Sequence, residues 1–299
     1  MKRFILLAAI SSTAFGQMSY NPSQYQEGTS TSGRDAAAAL VGKTSTTGNL
    51  SYLKVDENGG LVTTALTGFG ADFAFGDVTS ASTTQKTVER TTYTEQTTDA
   101  QRSIASASAN DTAAGTGART VKITYLNSTG SGPYTETVTL NGTSYVNTVA
   151  TNICFIEQIE VVTVGSGGTN AGILTLKAAT AGGGATIGTI GAANGQTFWA
   201  HHYIPTGKIA NITGISVSHN GTTVGSGAVF VVKAKAIGVA NQYEVQLSDF
   251  VRLYGQSSTF ARAYTSPVKF TGPARLMLYV TPESSSSFVY RGSIDYFEP

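Results

Sequence analysis

The stretch that decides the fold runs from Ile104 to Thr148, IASASANDTAAGTGARTVKITYLNSTGSGPYTETVTLNGTSYVNT, and continues through an apolar run into VGSGGTNAGILTL, ending at Leu176. Val121, Ile123 and Tyr125 alternate with Lys122 and Thr124, the period of a strand with one buried and one wet face. Gly130 to Pro133 turns the chain, and Glu136, Val138 and Leu140 then alternate with Thr135, Thr137 and Thr139. Asn141-Gly142 is the strongest short hairpin signal in the chain and leads into Thr143 to Asn147. Ile153 to Val164 is long, apolar and β-branched, which predicts a central strand buried on both faces. Ile173 to Leu176 is another strand, entered through the Gly165-Ser166-Gly167-Gly168 turn.

The same reading extends toward the C-terminus. Phe198 to Ile204 and Lys208 to His219 flank a Pro205-Thr206-Gly207 turn, and Val229 to Ala236, Tyr243 to Leu247, Arg275 to Val280 and Phe288 to Asp295 follow. Ala178 to Gly195 reads as a loose surface excursion. About a dozen strands with no sustained helical period predict an all-β fold, a β-sandwich or jelly-roll-like antiparallel arrangement, over residues 101–299, with room for two packed sub-domains.

Toward the N-terminus the pattern thins. Residues 17–100 read as an extended arm, with a helical turn or two at Asp35 to Val41 and a small hairpin over Tyr52 to Thr64. The Gly68 to Gly76 segment brings Phe69, Phe73 and Phe75 together, to pack against another surface or, if exposed, to form an adhesive patch. Thr79 to Asp99 is polar and Thr-rich, a linker or irregular strand. Residues 1–16 carry a basic start, an apolar Phe4 to Ile10 and a small-residue site at Ala14-Phe15-Gly16. That is either a secretory signal cut before Gln17 or a misplaced start ahead of Met18.

Composition narrows the classes of function. Charged residues make up 12% of 299, glycines number 34, and the formal net charge is +1. The mixture is too apolar for a disordered chain and gives no electrostatic reason to expect nucleic acid or an anionic membrane as partner. No apolar run reaches the length of a membrane span. The single cysteine, Cys154, excludes an internal disulfide and sits in an apolar run as a packing residue.

The search for chemistry finds little. His201 and His202 are strand neighbours pointing to opposite faces, so they cannot jointly hold one metal, and no carboxylate stands beside them in sequence. Nucleophile elbows and phosphate loops are absent. Asp56, Glu57 and Asn58 lack EF-hand spacing and read as a solvated turn, and the N-x-S/T sites follow from composition. Trp199 reads as a core anchor, with one alternative: Trp199, His201 and Tyr203 share a strand face and could stack a sugar. No catalytic residue, metal or cofactor is expected.

Several stretches resemble virion structural proteins of tailed bacteriophages. They are LKVDENGGLVTT at 53–64, SANDTAAGTGARTVKITYL at 108–126, ETVTLNGTSYV at 136–146 and GSGGTNAGILTL at 165–176, followed by IPTGKIANITGI and SPVKFTGPARLMLYV. The resemblance implies a head-fibre, decoration, neck or tail component, not an enzyme, located in the virion. It would assemble with copies of itself and other virion proteins, with a host-surface glycan as a further partner. The secretory-looking start keeps a rival open: a secreted bacterial surface or carbohydrate-binding protein.

Overall fold

The computed structural model describes residues 41–43, 50–55, 61–65, 72–80, 82–220, 227–237, 244–247, 250–255, 257–284 and 287–298. Residues 1–16, residues 35–40 of the expected helical turn, the 56–60 turn and Phe69 lie outside them. The chain is all-β, built from antiparallel sheets, and divides into a unit of residues 1–66 and a second unit of residues 67–299.

In the first unit, Leu50–Val55 pairs with Leu61–Ala65 in the register Val55 to Leu61, the hairpin expected from the sequence. Val41–Lys43 adds a third strand beside Leu50–Val55.

The second unit holds two hydrophobic cores. The first lies between a three-stranded sheet, ordered Phe155–Val164, Ala118–Leu126, Tyr134–Thr139, and a four-stranded sheet, ordered Thr186–Ile190, Leu174–Lys177, Ser103–Ser106, Val146–Asn147. Val121, Ile123 and Tyr125 all face this core, as their alternation requires. The second core lies between two further sheets. One is ordered His201–Ile204, Ala274–Pro282, Gly227–Ala236, Val245–Gln246; the other is ordered Ser257–Thr271, Ile209–Asn220, Phe288–Phe297, Asp72–Ser80.

Three expectations change against this architecture. The Asn141-Gly142 turn forms, with Gly142 at φ 61°, but it is no hairpin: the strands it joins belong to different sheets. Its backbone is drawn away, because Ser106 N–H donates to Gly142 O at 2.9 Å and Gly142 N–H donates to Asp111 O at 2.8 Å. Phe155–Val164 is an edge strand rather than a central one; register shifts at Ile156/Gln158 and Val161/Thr163 break its alternation, and Val162 emerges 52% exposed. Finally, residues 72–99 belong to the β body rather than to an arm. Asp72–Ser80 pairs with the last strand along nine residues, Val88 is fully buried, and Tyr93 sits in the first core. The 82–99 stretch lacks periodicity because only Lys86–Thr87 pairs in a sheet, and the chain then crosses from Val88 in the second core to Tyr93 in the first.

The two cores meet along one short strand. On and beside His201–Ile204, Trp199 and Tyr203 belong to the first core while Ala200 and Ile204 belong to the second. The period of two thus makes this segment a shared wall.

Candidate functional site

The seam on either side of His201–Ile204 gathers the densest set of buried ionisable groups in the described residues, and it contains every ligand-contact residue expected from the sequence. Trp199, His201 and Tyr203 do lie on one face, with Trp199 and His201 stacked at 5.4 Å between centroids. That face is interior: the three residues are 4%, 2% and 1% exposed. The rings themselves offer little free surface for stacking a sugar, because Tyr93, 5.0 Å from Trp199 and 4.9 Å from His201, packs against them, while all three residues also line a cleft. Trp199 is the core anchor the sequence suggested. Its Nε1–H donates to Thr91 O at 2.8 Å, and its ring lies so close over Gly188 that a Cβ there would come within 2.3 Å of Cζ2.

Behind these rings lies a buried ion pair. Arg275, from Ala274–Pro282, donates through Nη2 to Glu89 Oε1 at 2.6 Å and to His201 Nδ1 at 2.7 Å, with its guanidinium 4.6 Å from the Tyr93 ring centre. His201 Nδ1 therefore accepts, and its Nε2–H donates to Ile156 O at 3.2 Å, which fixes the neutral tautomer. Burial, with the adjacent Arg275 cation, holds the His201 pKa below its ordinary value. Burial alone would raise Glu89, yet the Arg275 cation against its Oε1 outweighs it and the carboxyl is held below the usual range.

The opposite face carries a second cluster. His202 donates through Nδ1 to Glu157 Oε1 at 2.9 Å and through Nε2 to Glu298 Oε1 at 2.8 Å, while its ring stacks on Tyr296 at 4.0 Å. Burial opposes charge on His202, but the two carboxylates prevail and push its pKa up to about 9. Glu157 is held low by the same pair despite its burial, and its second oxygen accepts the Tyr203 N–H at 2.7 Å. A cleft of about 390 Å³ opens beside this cluster, and its lining includes the expected residues Trp199, His201 and Tyr203 together with Glu157, His202 and Glu298.

The two histidines thus face apart, as strand geometry demanded. All four of their ring nitrogens are committed to partners. His201 is buried and neutral; His202 is held protonated near neutrality by its two carboxylates. Among the described residues, no three His, Cys, Asp or Glu side chains converge as a metal site, and no helix is long and apolar enough to cross a membrane.

Sequence reading missed Glu89, Glu157, Arg275 and Glu298, which reach the histidines across 45 to 112 positions. One signal was present: Glu157 stands inside the apolar ICFIEQI run, where an acid needs a partner. Cys154 in the same run is fully buried, and burial pushes its thiol up to about 12, the packing role expected of it.

No family model matches the chain, and no curated protein matches it. Among solved structures it is similar to that of the infectious bursal disease virus Gx strain, at 9% identity over 87% of this chain and 70% of that one, with a TM-score of 0.24. It is also similar to the infectious bursal disease virus VP2 subviral particle, at 9% identity over 83% of this chain and 64% of that one, with a TM-score of 0.20. Likeness at this level carries no argument about function.

Proposed function

We propose that this chain is a non-enzymatic structural component of a virus particle, of the bacteriophage head-fibre, decoration, neck or tail kind that its sequence resembles, and that it assembles as a homo-oligomer. The observation that supports this reading is the use made of buried polar groups. The seam histidines, Glu89, Arg275, Glu157 and Glu298 all brace one sheet against another. Two more examples lie in the first core. Asp111, fully buried, accepts from the backbone N–H of Ala118, Ala171 and Gly172 and from the Ser106 hydroxyl. Arg102, 2% exposed, donates only to backbone carbonyls, those of Thr98, Ile153 and Ala178. Buried polar groups satisfied in this way hold a scaffold rigid.

Light scattering on the purified full chain tests the proposal. A discrete oligomer of fixed copy number, persisting on dilution, is expected. A monomer at high concentration, with intact mass showing cleavage before Gln17, would overturn it in favour of a secreted binding protein.

A further inference from the structure

The outward face of the sheet formed by Ser257–Thr271, Ile209–Asn220, Phe288–Phe297 and Asp72–Ser80 carries a groove of about 540 Å³, on the side away from the second core. That volume falls in the range of small-ligand sites. Register fixes its floor as two cross-strand rows. One runs Thr259, Ser218, Arg291, Asp77; the other runs Ala261, Ser216, Ser293, Phe75. Strand neighbours of these residues, Val217, His219, Tyr290 and Ile294, are buried on the opposite face, so the rows point outward.

The chemistry of the rows is unusual for a solvated sheet face. Serine and threonine hydroxyls make a low floor. At the Asp72–Ser80 side a wall rises, with Phe75 against Phe198 edge-on at 5.4 Å and the Arg90 guanidinium 4.0 Å over the Phe198 ring. Arg90 is held in place by Asp77 at 2.7 Å and by Asn194 at 3.0 Å. Arg291 differs: it lies exposed directly across from Asp77, and its side chain makes no hydrogen bond or ion pair among the described residues, Asp77 Oδ1 being taken by Arg90. The groove therefore combines one uncommitted cation, a row of hydroxyls and an aromatic wall.

We propose that this groove binds a carboxylate-bearing oligosaccharide, with Arg291 on the carboxylate, Phe75 and Phe198 against a sugar face, and Ser216, Ser218 and Ser293 on the hydroxyls. An extended peptide is disfavoured by the floor itself. Ile209–Asn220 and Phe288–Phe297, the middle of the floor, are paired on both sides, so the centre of the groove offers no backbone edge for strand addition. A ligand here must bring its own hydroxyl donors and acceptors. Four strands span about 14 Å, the reach of a short oligosaccharide rather than a single ring. A guanidinium facing a carboxylate supplies a charge-assisted, bidentate contact that a neutral sugar cannot make.

The test is calorimetric titration of the full chain with a short oligogalacturonate and with sialyllactose, using a neutral maltooligosaccharide as control. Saturable binding of one acidic probe is expected, weakened by added salt, together with a loss of about tenfold or more in Arg291→Gln and a smaller loss in Arg291→Lys. Arg291 is exposed, and an unchanged melting temperature in the variants would show that the fold is intact. Phe75→Leu is expected to weaken binding of the acidic probe as well. Failure of both acidic probes to bind at millimolar concentration would overturn the proposal, as would equal binding of the neutral control or indifference to Arg291→Gln. None of these outcomes bears on the oligomeric state, so the structural role stands or falls separately.

Discussion

At the scale of single residues, Arg102 is the clearest case of a side chain used as a strut. Its Nε and Nη2 both donate to Ile153 O, at 3.0 and 2.7 Å, and Nη2 also reaches Thr98 O at 2.7 Å. A planar fork spreads its donors over three nitrogens in fixed directions, whereas an ammonium carries its three on a single nitrogen and cannot reach carbonyls set that far apart. Arg102→Lys is therefore expected to lose about 2–4 kcal/mol of stability in urea unfolding, from unsatisfied carbonyls and a poorly placed buried charge. A loss under about 0.5 kcal/mol would show that the carbonyls find other partners. Nothing in the sequence marks Arg102, because its partners are backbone carbonyls, which every residue has. Trp199 was legible as a core anchor, since an indole in an alternating apolar run has one natural destination. Its neighbour His201 was not, because what seals it comes from Tyr93, Glu89 and Arg275, each from another part of the chain.

At the scale of elements, strands with a clean period of two were legible, and those lacking it were not. Ala118–Leu126, Ile209–Asn220 and Gly227–Ala236 stand close to where their alternation placed them. Ser257–Thr271, fifteen residues long, gave no such signal. It lies at a sheet edge, exposed along most of its length, and Pro267 falls where four of its residues oppose Thr213 alone between the pairs Gly214–Ala263 and Ile212–Val268. An edge strand tolerates proline at such a bulge, and exposure removes the apolar alternation that sequence reading depends on. The irregular 82–99 segment was opaque for a related reason. Only Lys86–Thr87 of it joins a sheet ladder, against Ala274–Pro282, and the buried pair of Glu89 with Arg275 fastens it to the same strand. Removing one partner strands the other charge in the interior, so Arg275→Met alone is expected to cost about 3–5 kcal/mol. Glu89→Gln combined with Arg275→Met should recover part of that loss, and a double-mutant cycle by chemical denaturation measures the difference. Strict additivity of the two substitutions would refute the coupling.

At the scale of the whole second unit, the two cores are joined by His202. It stands on the wall between them and bonds Glu157, from the sheet of the first core, and Glu298, just past the last strand of the second. The union is charged, so it must respond to pH, and the sign can be worked out. In the unfolded chain His202 titrates near the ordinary value of about 6.5; in the folded protein its pKa is pushed up to about 9. Between these values the folded state binds more protons than the unfolded state, so stability falls as pH rises. The contribution is complete below pH 6.5 and gone above about 9. Glu157, held low in the folded state, works in the opposite direction at the acid end, where its contribution is lost as pH falls. Thermal melts should therefore show the melting temperature dropping by about 5 °C between pH 6.5 and 9 in the native chain. In His202→Gln the curve should be lower at pH 6.5 and nearly flat over the same window, because a neutral amide brings no charge to the two carboxylates, carries both its donors on one nitrogen, and does not titrate. A native curve that stayed level across this window would mean that the cores are held together by their apolar contacts alone. A native fall that survived unchanged in His202→Gln would place the titrating group elsewhere.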